Sequence, residues 1–417
     1  MQENAQSITV LGAGVVGIAC AVHLLRDGHR VTIIDRLPPG EACSSGNAGV
    51  FASYACLPVS LPGLFWSVPG MLLDPAGALT IRMSYWLTLF PWLVKFLRAG
   101  RMEPMQSSAR ALSFLVNNSL EQHRDLARGA GVDHLLRPAP LVYAYADEAS
   151  LSKGLHTWDW RRPYGVEPRV VRGAELRELE PALSEELPCA VVIDDCGHTT
   201  NPSLLVKGLA DYAQRQGATL LQRDVIDIHP RDGGGVRLST DDGDIMAEKI
   251  VIAAGAWSGK LAEQCGEAVP LEAERGYHLM LHDPGVELRS IVGSAKGKFL
   301  ATPMDEGLRL AGTTEFAGLD APPDYRRAEV LRSQVRDLFP DANIDDYSQW
   351  MGQRPSLPDS VPVIGPSQRH AGIYYAFGHQ HIGLTSAPKT GRLIADMVAG
   401  RTPNIDLGPY RVDRFQR

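Results

Sequence analysis

Three glycines near the N-terminus have the spacing of a dinucleotide-binding turn. Gly12, Gly14 and Gly17 follow the run SITVL and open an apolar helical segment, and Asp35 lies eighteen residues past the last of them. The first glycine permits a tight turn, the second lets backbone N–H groups approach a pyrophosphate, and the third permits close packing of helix on strand. Asp35, at the end of a second predicted strand, can accept hydrogen bonds from an adenosine ribose. The residues predicted to line this nucleotide site are Gly12, Gly14, Val15, Val16, Gly17, Asp35 and Arg36.

The glycine motif does not by itself choose between NAD and FAD. No second GxGxxG follows residue 20, although a flavin reductase that uses NAD(P)H would usually carry two dinucleotide units. Two interpretations therefore remain open at this point. The protein is either a NAD dehydrogenase with one site or a flavoprotein whose electrons come directly from its substrate.

Two further segments favour the flavin. SSGNAG at 44–49 is a run of small and hydrogen-bonding residues that lets an isoalloxazine edge approach the backbone, which a NAD enzyme does not need. GHQHIGLT at 378–385 opens the last predicted helix, so its N–H groups and dipole would face an anionic flavin edge. The cofactor contacts predicted in these segments are Ser44, Ser45, Asn47, Ala48, Gly49, Gly378, His379, His381, Gly383, Leu384 and Thr385.

These motifs, followed in order by IVIAAGAWS and by WMGQRPSLPDSVPVIG at 350–365, make the chain resemble a known family. The chain resembles the FAD-dependent D-amino acid oxidoreductases, and within them the bacterial D-amino acid dehydrogenases, over essentially its whole length. The resemblance implies noncovalently bound FAD. It also implies that Arg354, in GQRP, binds the substrate carboxylate, for which a planar guanidinium offers bidentate hydrogen bonds.

The remaining site residues also come from the resemblance. Arg275 matches a position that supplies a second cationic contact in some relatives. We expect Tyr54 and Tyr277 to line the substrate pocket and His379 to lie beside it. Further cofactor contacts are expected at Val225, Ala254 and Gly255.

The implied reaction is oxidative deamination of D-amino acids, including cyclic D-imino acids such as D-proline or hydroxyproline, to imino or keto acids. Hydride would pass from Cα to flavin N5, and the electrons would pass to a quinone-type acceptor. The cofactor carries the difficult step, so no dedicated catalytic base is expected. Two alternatives stay open: an oxidase of the glycine or sarcosine type that uses oxygen, and a flavin subunit that is active only with a partner.

Composition argues against other classes of function. The net charge is −7, from 41 basic and 48 acidic residues, and no basic tract marks a nucleic-acid site. The six cysteines are scattered and form no CxxC pair, and the N-terminus has no basic n-region, so we expect a cytoplasmic protein. No histidine pair has metal-ligand spacing near an acidic residue, so no metal site is expected.

Hydrophobic periodicity indicates the elements that position these residues. It predicts a βαβ unit at the N-terminus, helices over 107–129, 202–216 and 388–399, and strands over 218–230 and 244–254. The predicted fold class is α/β. A Rossmann-like FAD-binding domain is assigned to 1–56, 191–269 and 350–417, and a discontinuous α+β substrate or cap domain to 57–190 and 270–349.

The stretch 57–98 is unusually apolar and aromatic. Its uncharged runs, 57–73 and 83–94, are interrupted by prolines and are too short or too broken to span a bilayer. Two interpretations remain: a buried cap over an apolar pocket, or a surface that makes peripheral contact with the inner face of the bacterial inner membrane.

Overall fold

The computed structural model describes residues 5–64, 77, 79–231 and 233–415. Its strands in chain order are β1 (Ser7–Leu11), β2 (Arg30–Asp35), β3 (Val50–Phe51), β4 (Leu79–Ile81), β5 (Leu136–Pro138), β6 (Leu141–Tyr145), β7 (Arg169–Arg172), β8 (Cys189–Ile193), β9 (Gly197–Thr199), β10 (Thr219–Gln222), β11 (Val225–Pro230), β12 (Val236–Thr240), β13 (Gly243–Ala247), β14 (Lys249–Ile252), β15 (Glu272–Leu281), β16 (Ile291–Ser294), β17 (Phe299–Met304), β18 (Gly307–Phe316), β19 (Tyr347–Ser356), β20 (Val363–Pro366) and β21 (Ile373–Phe377).

The helices in chain order are α1 (Val15–Arg26), α2 (Trp86–Ala99), α3 (Met102–Val116), α4 (Ser119–Ala127), α5 (Glu148–Asp159), α6 (Gly173–Leu179), α7 (Pro202–Arg215), α8 (Ser258–Gln264), α9 (Arg326–Gln334) and α10 (Gly383–Val398).

The predicted Rossmann-like sheet is present. Its strand order is β10-β2-β1-β14-β21-β20, parallel except for the last strand. Central residues such as Ile8, Val10 and Ile33 are fully buried, because helices cover a parallel sheet. Helices α1 and α10 cross closely at Gly391, where an added Cβ would lie 2.6 Å from the Ala19 backbone. The two ends of the chain are thereby packed into one unit.

Several predicted elements divide in the structure. The segment 218–230 forms β10 in the parallel sheet and then β11 in a separate antiparallel sheet, β11-β12-β13. The segment 244–254 likewise divides into β13 and β14. The predicted helix over 107–129 is two helices, α3 and α4, separated at Asn118, which has φ 57°. The breaks fall at short polar interruptions, Arg223-Asp224, Glu248 and Asn117-Asn118, inside runs that were predicted as single elements.

Helix α10 begins five residues earlier than predicted and contains Pro388. A proline has no N–H to donate, so the carbonyl of Leu384, four residues before it, lacks its usual helical partner. His123 of α4 contacts that carbonyl through Nε2 at 2.8 Å. A side chain from a neighbouring helix thus makes the interior proline tolerable.

The second sheet is mixed and has the order β19-β15-β18-β17-β16-β6-β8-β7, with β4 also paired to β18. Strand β19 pairs with β15 over its whole length. Two predicted domain boundaries therefore need correction, because residues 191–193 of β8 and 350–356 of β19 belong to this sheet. Arg354 consequently lies in this second sheet and not in the Rossmann-like sheet.

Part of the apolar stretch is described. Residues 65–76 and 78 lie outside the described residues, while α2 buries Leu89 and Trp92. Met83, Leu87 and Phe90 are 84%, 91% and 61% exposed. None of the helices in the described ranges is long and apolar enough to cross a membrane.

Candidate active site

A cavity of about 2080 Å³ is lined by residues of both large sheets. Pockets for a single small ligand typically measure about 300–1,000 Å³. The cavity therefore has room for a dinucleotide and a substrate together. Predicted site residues that line it are Gly12, Gly14, Val15, Val16, Asp35, Arg36, Ser44, Asn47, Ala48, Gly49, Tyr54, Val225, Ala254, Gly255, Tyr277, Arg354, His379, His381, Gly383 and Leu384.

One end of the cavity lies at the carboxyl ends of β1, β2 and β14. Gly12 has φ +115°, and an added Cβ there would overlap the backbone of Ala253. At the start of α1, Val15 N donates to Ser44 Oγ at 3.0 Å, and the N-cap residue, Gly14, has no side chain that could cap the helix. Gly17 does not line the cavity; an added Cβ there would overlap the Gly12 carbonyl. The turn therefore leaves room for a phosphate, and its third glycine serves packing.

The Asp35 carboxylate lies at the same end. It accepts hydrogen bonds from Ala13 N at 2.7 Å and from Leu37 N at 2.9 Å, which fix its orientation. A carboxylate has about four acceptor sites, so it retains capacity for a ribose hydroxyl. The Arg36 guanidinium stacks 4.0 Å from the centroid of the Trp257 ring. These groups fit the adenosine and pyrophosphate half of FAD.

The loop 44–49 is held by hydrogen bonds within the loop and from a distant arginine. Asn47 Nδ2 donates to Ser44 O at 2.6 Å, and the buried Arg309 donates through Nη1 to the carbonyls of Ser45 and Asn47 at 3.0 and 2.8 Å. Burial lowers the pKa of Arg309 to about 10. Ser45 itself does not line the cavity, since its hydroxyl donates to Ala42 O at 3.0 Å.

Gly46 of this loop packs closely against a residue of a distant strand. An added Cβ at Gly46 would overlap the indole ring of Trp350. That ring stacks on His278 at 5.1 Å, and His278 Nδ1 contacts the carbonyl of Gly46 at 2.8 Å. The loop is thereby fixed against β19 and β15 of the second sheet.

The C-terminal loop leads from β21 to α10. Gly378 has φ +87°, and an added Cβ there would overlap Leu357, so this residue shapes the turn without lining the cavity. His379 is buried, and its Nε2 lies 3.0 Å from Thr390 Oγ1. Burial lowers the pKa of His379 to about 3, so its ring is neutral. Thr385 also lies off the cavity, where its hydroxyl accepts from Ala52 N at 3.2 Å.

Arg354 lines the cavity from β19. Its Nη1 contacts Glu274 Oε1 at 2.9 Å and donates to the carbonyl of Thr313 at 3.3 Å. Its guanidinium lies over Gly276, where an added Cβ would overlap it. Thr313 has φ 56°, which is an outlier for a β-branched residue. Arg354 Nε and Nη2 make no hydrogen bond to the residues that the structure describes, so these donors face the cavity.

Glu274 is the buried partner of this arginine. It accepts from Ser356 Oγ at 2.7 Å, from Thr314 Oγ1 at 3.1 Å and from Gln380 Nε2 at 3.1 Å. Burial opposes its ionisation, but Arg354 and the hydrogen bonds outweigh that effect and hold the pKa of Glu274 below its usual value. The carboxylate is therefore charged and fully engaged, which fixes the guanidinium.

The structure does not bring Arg275 to the cavity. Alternate residues of a strand point to opposite faces, so Arg275 and Tyr277 leave β15 on the side away from Glu274 and Gly276. The Arg275 guanidinium donates to the carbonyls of Gly318, Ala321 and Pro322 and lies 3.6 Å from Glu315. This corrects the expectation of a second substrate contact there.

Tyr277 borders the cavity but its hydroxyl is engaged. It donates to Glu315 Oε2 at 2.6 Å and accepts from Asp324 N at 2.9 Å. His381 faces the open cavity beside Arg354, and desolvation of its ring by the surrounding residues lowers its pKa. Tyr54 lies in another part of the cavity, with its ring centroid 6.2 Å from that of Trp158.

Buried histidines are a further electrostatic feature of the molecule. Burial is the largest cause that lowers their pKa, to about 3 or 4, so each ring is neutral near pH 7. These four buried histidines are His23, His123, His278 and His379.

The sequence did not single out several residues that build the site. Glu274 and Gly276 flank Arg275 in the predicted strand, and strand alternation was the available signal that they share a face different from that of Arg275. Trp350 opens the segment that ends in the GQRP motif, yet its contact with Gly46 spans about three hundred residues of chain. Arg309 carries no motif signal.

The structure joins a dinucleotide cradle on a Rossmann-like sheet to a cation, Arg354, that is fixed on a second sheet, which is an arrangement suited to an enzyme with a dinucleotide cofactor. The family model for FAD dependent oxidoreductases matches residues 7–397. The chain therefore belongs to that family, and its cofactor is FAD.

Individual relatives cover nearly the whole chain. It is 38% identical over 415 residues to a D-amino-acid oxidase of Bradyrhizobium diazoefficiens, with 98% of each chain covered. It is 31% identical over 416 residues to D-amino acid dehydrogenase 2 of Mesorhizobium japonicum, with 96% of this chain and 98% of the relative covered. The solved glycine oxidase from Geobacillus kaustophilus is 25% identical, with a TM-score of 0.75 and 98% and 99% coverage.

Proposed function

We propose that the protein catalyses the FAD-dependent oxidative deamination of D-amino acids, including cyclic D-imino acids, and passes the electrons to a quinone-type acceptor. The observation that carries the substrate class is Arg354. It has two cavity-facing donor groups, a fixed orientation and a place in the cavity that also contains the dinucleotide cradle. The names of the relatives, D-amino-acid oxidase and D-amino acid dehydrogenase, support the D-configuration.

Arg354 would hold the substrate carboxylate through its Nε and Nη2 donors. Glu274 keeps the guanidinium still, so little orientation freedom is lost when the substrate binds. When bound, FAD accepts a hydride from the substrate carbon. The amine must be unprotonated for this, and the apolar walls of the cavity disfavour an ammonium ion. A linear imino product is then hydrolysed by water to a keto acid and ammonia.

The quinone-type acceptor is supported by the apolar end of the cavity. Leu61, Trp86, Phe90 and Phe96 line it, and Phe90 is also exposed on the outer surface. This connects the interior with an apolar patch, made of Met83, Leu87 and Phe90, that could contact the inner face of the bacterial inner membrane. The peripheral location remains part of the proposal.

An oxidase is the second candidate, since the 38% identical relative and the superposed glycine oxidase carry that name. Anaerobic bleaching of the flavin across a panel of D-, L- and N-methyl amino acids tests the substrate class. We expect reduction by D-amino acids only. Reduction by L-amino acids or by glycine and sarcosine alone would contradict the proposal, and absence of any reduction would favour a subunit that needs a partner.

A further inference from the structure

A second arginine, Arg161, lines the same cavity and forms no ion pair with an acidic residue in the described part of the chain. It follows α5, and its Nε donates to the carbonyl of Tyr54 at 3.1 Å while Nη1 donates to the carbonyl of Thr157 at 2.6 Å. Its guanidinium lies 4.6 Å from the centroid of the Trp158 ring. Nη2 makes no hydrogen bond to any described residue. The side chain is therefore held in one orientation with an open donor.

The surroundings of Arg161 are aromatic and neutral. Tyr143 and Trp158 have ring centroids 5.6 Å apart, and Trp158 Nε1 donates to the hydroxyl of Tyr145 at 2.8 Å. No carboxylate oxygen of the described residues lies within 4.0 Å of the guanidinium. Burial lowers the pKa of Arg161 from its usual value. A cation packed among apolar groups without a counterion is costly, so a ligand that brings a negative charge would be favoured here.

The neighbouring residue, Arg162, differs from Arg161 in its ion pairs. Arg162 is 48% exposed and pairs with Asp159 at 3.0 Å and with Glu167 at 3.3 Å. Arg161 has no such pair, although it is the more enclosed of the two.

Arg161 and Arg354 approach one continuous face of the second sheet. Directly paired residues of adjacent strands lie on the same face. The successive partners across β15, β18, β17, β16 and β6 are His278, Ala311, Leu300, Gly293 and Tyr143. Gly276, under Arg354, lies two residues before His278 and so shares that face. At the other end, an added Cβ at Gly293 would overlap the ring of Tyr143.

The distance between the two ends can be estimated from the strands. Three strand spacings of about 4.8 Å separate β15 from β16, and the offset of Gly276 by two residues along its strand adds about 7 Å at right angles, so the diagonal between the two ends is about 16 Å. Each contact between a guanidinium nitrogen and a carboxylate oxygen takes up about 3 Å of this. The remaining length suits an acid on a side chain at least as long as that of glutamate.

We infer that Arg161 binds a second carboxylate of the substrate, so that the enzyme prefers D-amino acids with an acidic side chain of glutamate length or longer. The inference rests on the proposed function, in which Arg354 binds the α-carboxylate. Arg161 is then a specificity-determining residue at the far end of the cavity. It takes no part in the redox step.

The kinetic test uses the FAD-loaded enzyme and pairs of substrates that match in size. The wild type should be reduced by D-glutamate with at least tenfold higher kcat/KM than by D-glutamine. Arg161→Gln should lower this acid-to-amide ratio about tenfold to a hundredfold, because charge-assisted hydrogen bonds are lost, and should leave D-norvaline within threefold of wild type. Arg161→Lys, which keeps the charge, should retain part of the preference. Arg162→Gln is the matched control and should change nothing.

A binding test separates this inference from the proposed reaction. Calorimetric titration with glutarate and with its monoamide needs no turnover. We expect the diacid to bind about tenfold more tightly than the monoamide to the wild type and Arg162→Gln, and equally to Arg161→Gln. Equal binding by the wild type, or an acid-to-amide ratio in Arg161→Gln within threefold of wild type, would overturn the inference. If no amino acid reduced the flavin while the diacid preference persisted, only the proposed reaction would fail.

Discussion

Replacing Arg354 by alanine should remove the substrate anchor while keeping the cofactor. The variant loses the Nε and Nη2 donors that face the cavity, and each charge-assisted hydrogen bond contributes about 1.5–3 kcal/mol. Two such bonds correspond to a fall in kcat/KM of about two to four orders of magnitude. Arg354→Lys should recover only part of this, because an ammonium cannot reproduce the planar fork.

The same substitution leaves Glu274 without its cation. The carboxylate keeps Ser356, Thr314 and Gln380 as donors, but its pKa should rise and the variant should lose some stability. Stopped-flow flavin reduction without oxygen measures the anchor, and thermal unfolding with FAD content measures the fold. Arg128→Ala, which removes an exposed arginine, is the control. A fully flavinated Arg354→Ala enzyme reduced within threefold of wild-type efficiency would refute the assignment of the anchor.

Four further outcomes are expected. Gly276→Ala should lower kcat/KM at least tenfold although Arg354 is retained, because the new Cβ displaces the guanidinium. The control Gly233→Ala has open space around its Cβ position and should not lower kcat/KM. Equal kcat/KM values for the two variants would contradict the geometry. FAD should be released completely on acid precipitation. Burial raises the pKa of the cavity-lining Cys43 thiol to about 11, so this thiol stays protonated and is a poor nucleophile for attachment to the flavin. A coloured protein pellet would show a covalent link. Reduced enzyme should reduce a soluble quinone much faster than oxygen, and comparable rates would make the protein an oxidase. The protein should also bind lipid vesicles through the apolar patch of Met83, Leu87 and Phe90. Absence of vesicle binding would make the stretch 57–98 a buried cap. The free energy of unfolding should fall as the pH drops from 6.5 towards 4. The unfolded chain protonates the four buried histidines near pH 6.5, whereas the folded chain protonates them only at about pH 3 to 4, so the free energy of unfolding changes by at most about 5 kcal/mol per pH unit. Unfolding midpoints that do not change over this pH range would refute the prediction.

The sequence was sufficient for the nucleotide half of the molecule. GAGVVG and Asp35 are close together in the chain, and their local pattern determines a βαβ unit whose geometry is nearly invariant. The substrate half was harder, because its sheet is assembled from strands far apart in sequence. The pairing of β19 with β15 placed Arg354 in that sheet and could not be derived from hydrophobic periodicity.

Side-chain direction was the other feature that sequence left open. Glu274, Arg275 and Gly276 are consecutive, and only the strand's orientation determines which of them face the cavity. The Arg275 side chain points away from the cavity, whereas Glu274 and Gly276 face it. Likewise, the small residues of 44–49 were predicted to let a flavin edge approach, but the contact between Gly46 and an indole ring from a distant strand had no signal in the sequence.

Glu274 has a consequence for how the site loosens and forms. One carboxylate joins β15 to β18 through Thr314, to β19 through Arg354 and Ser356, and to the C-terminal loop through Gln380. Opening any of these elements breaks hydrogen bonds that the others share, so their local unfolding is cooperative. The substrate anchor and the loop that leads into α10 therefore gain or lose order together, and a fluctuation that frees one exposes the backbone amides of both.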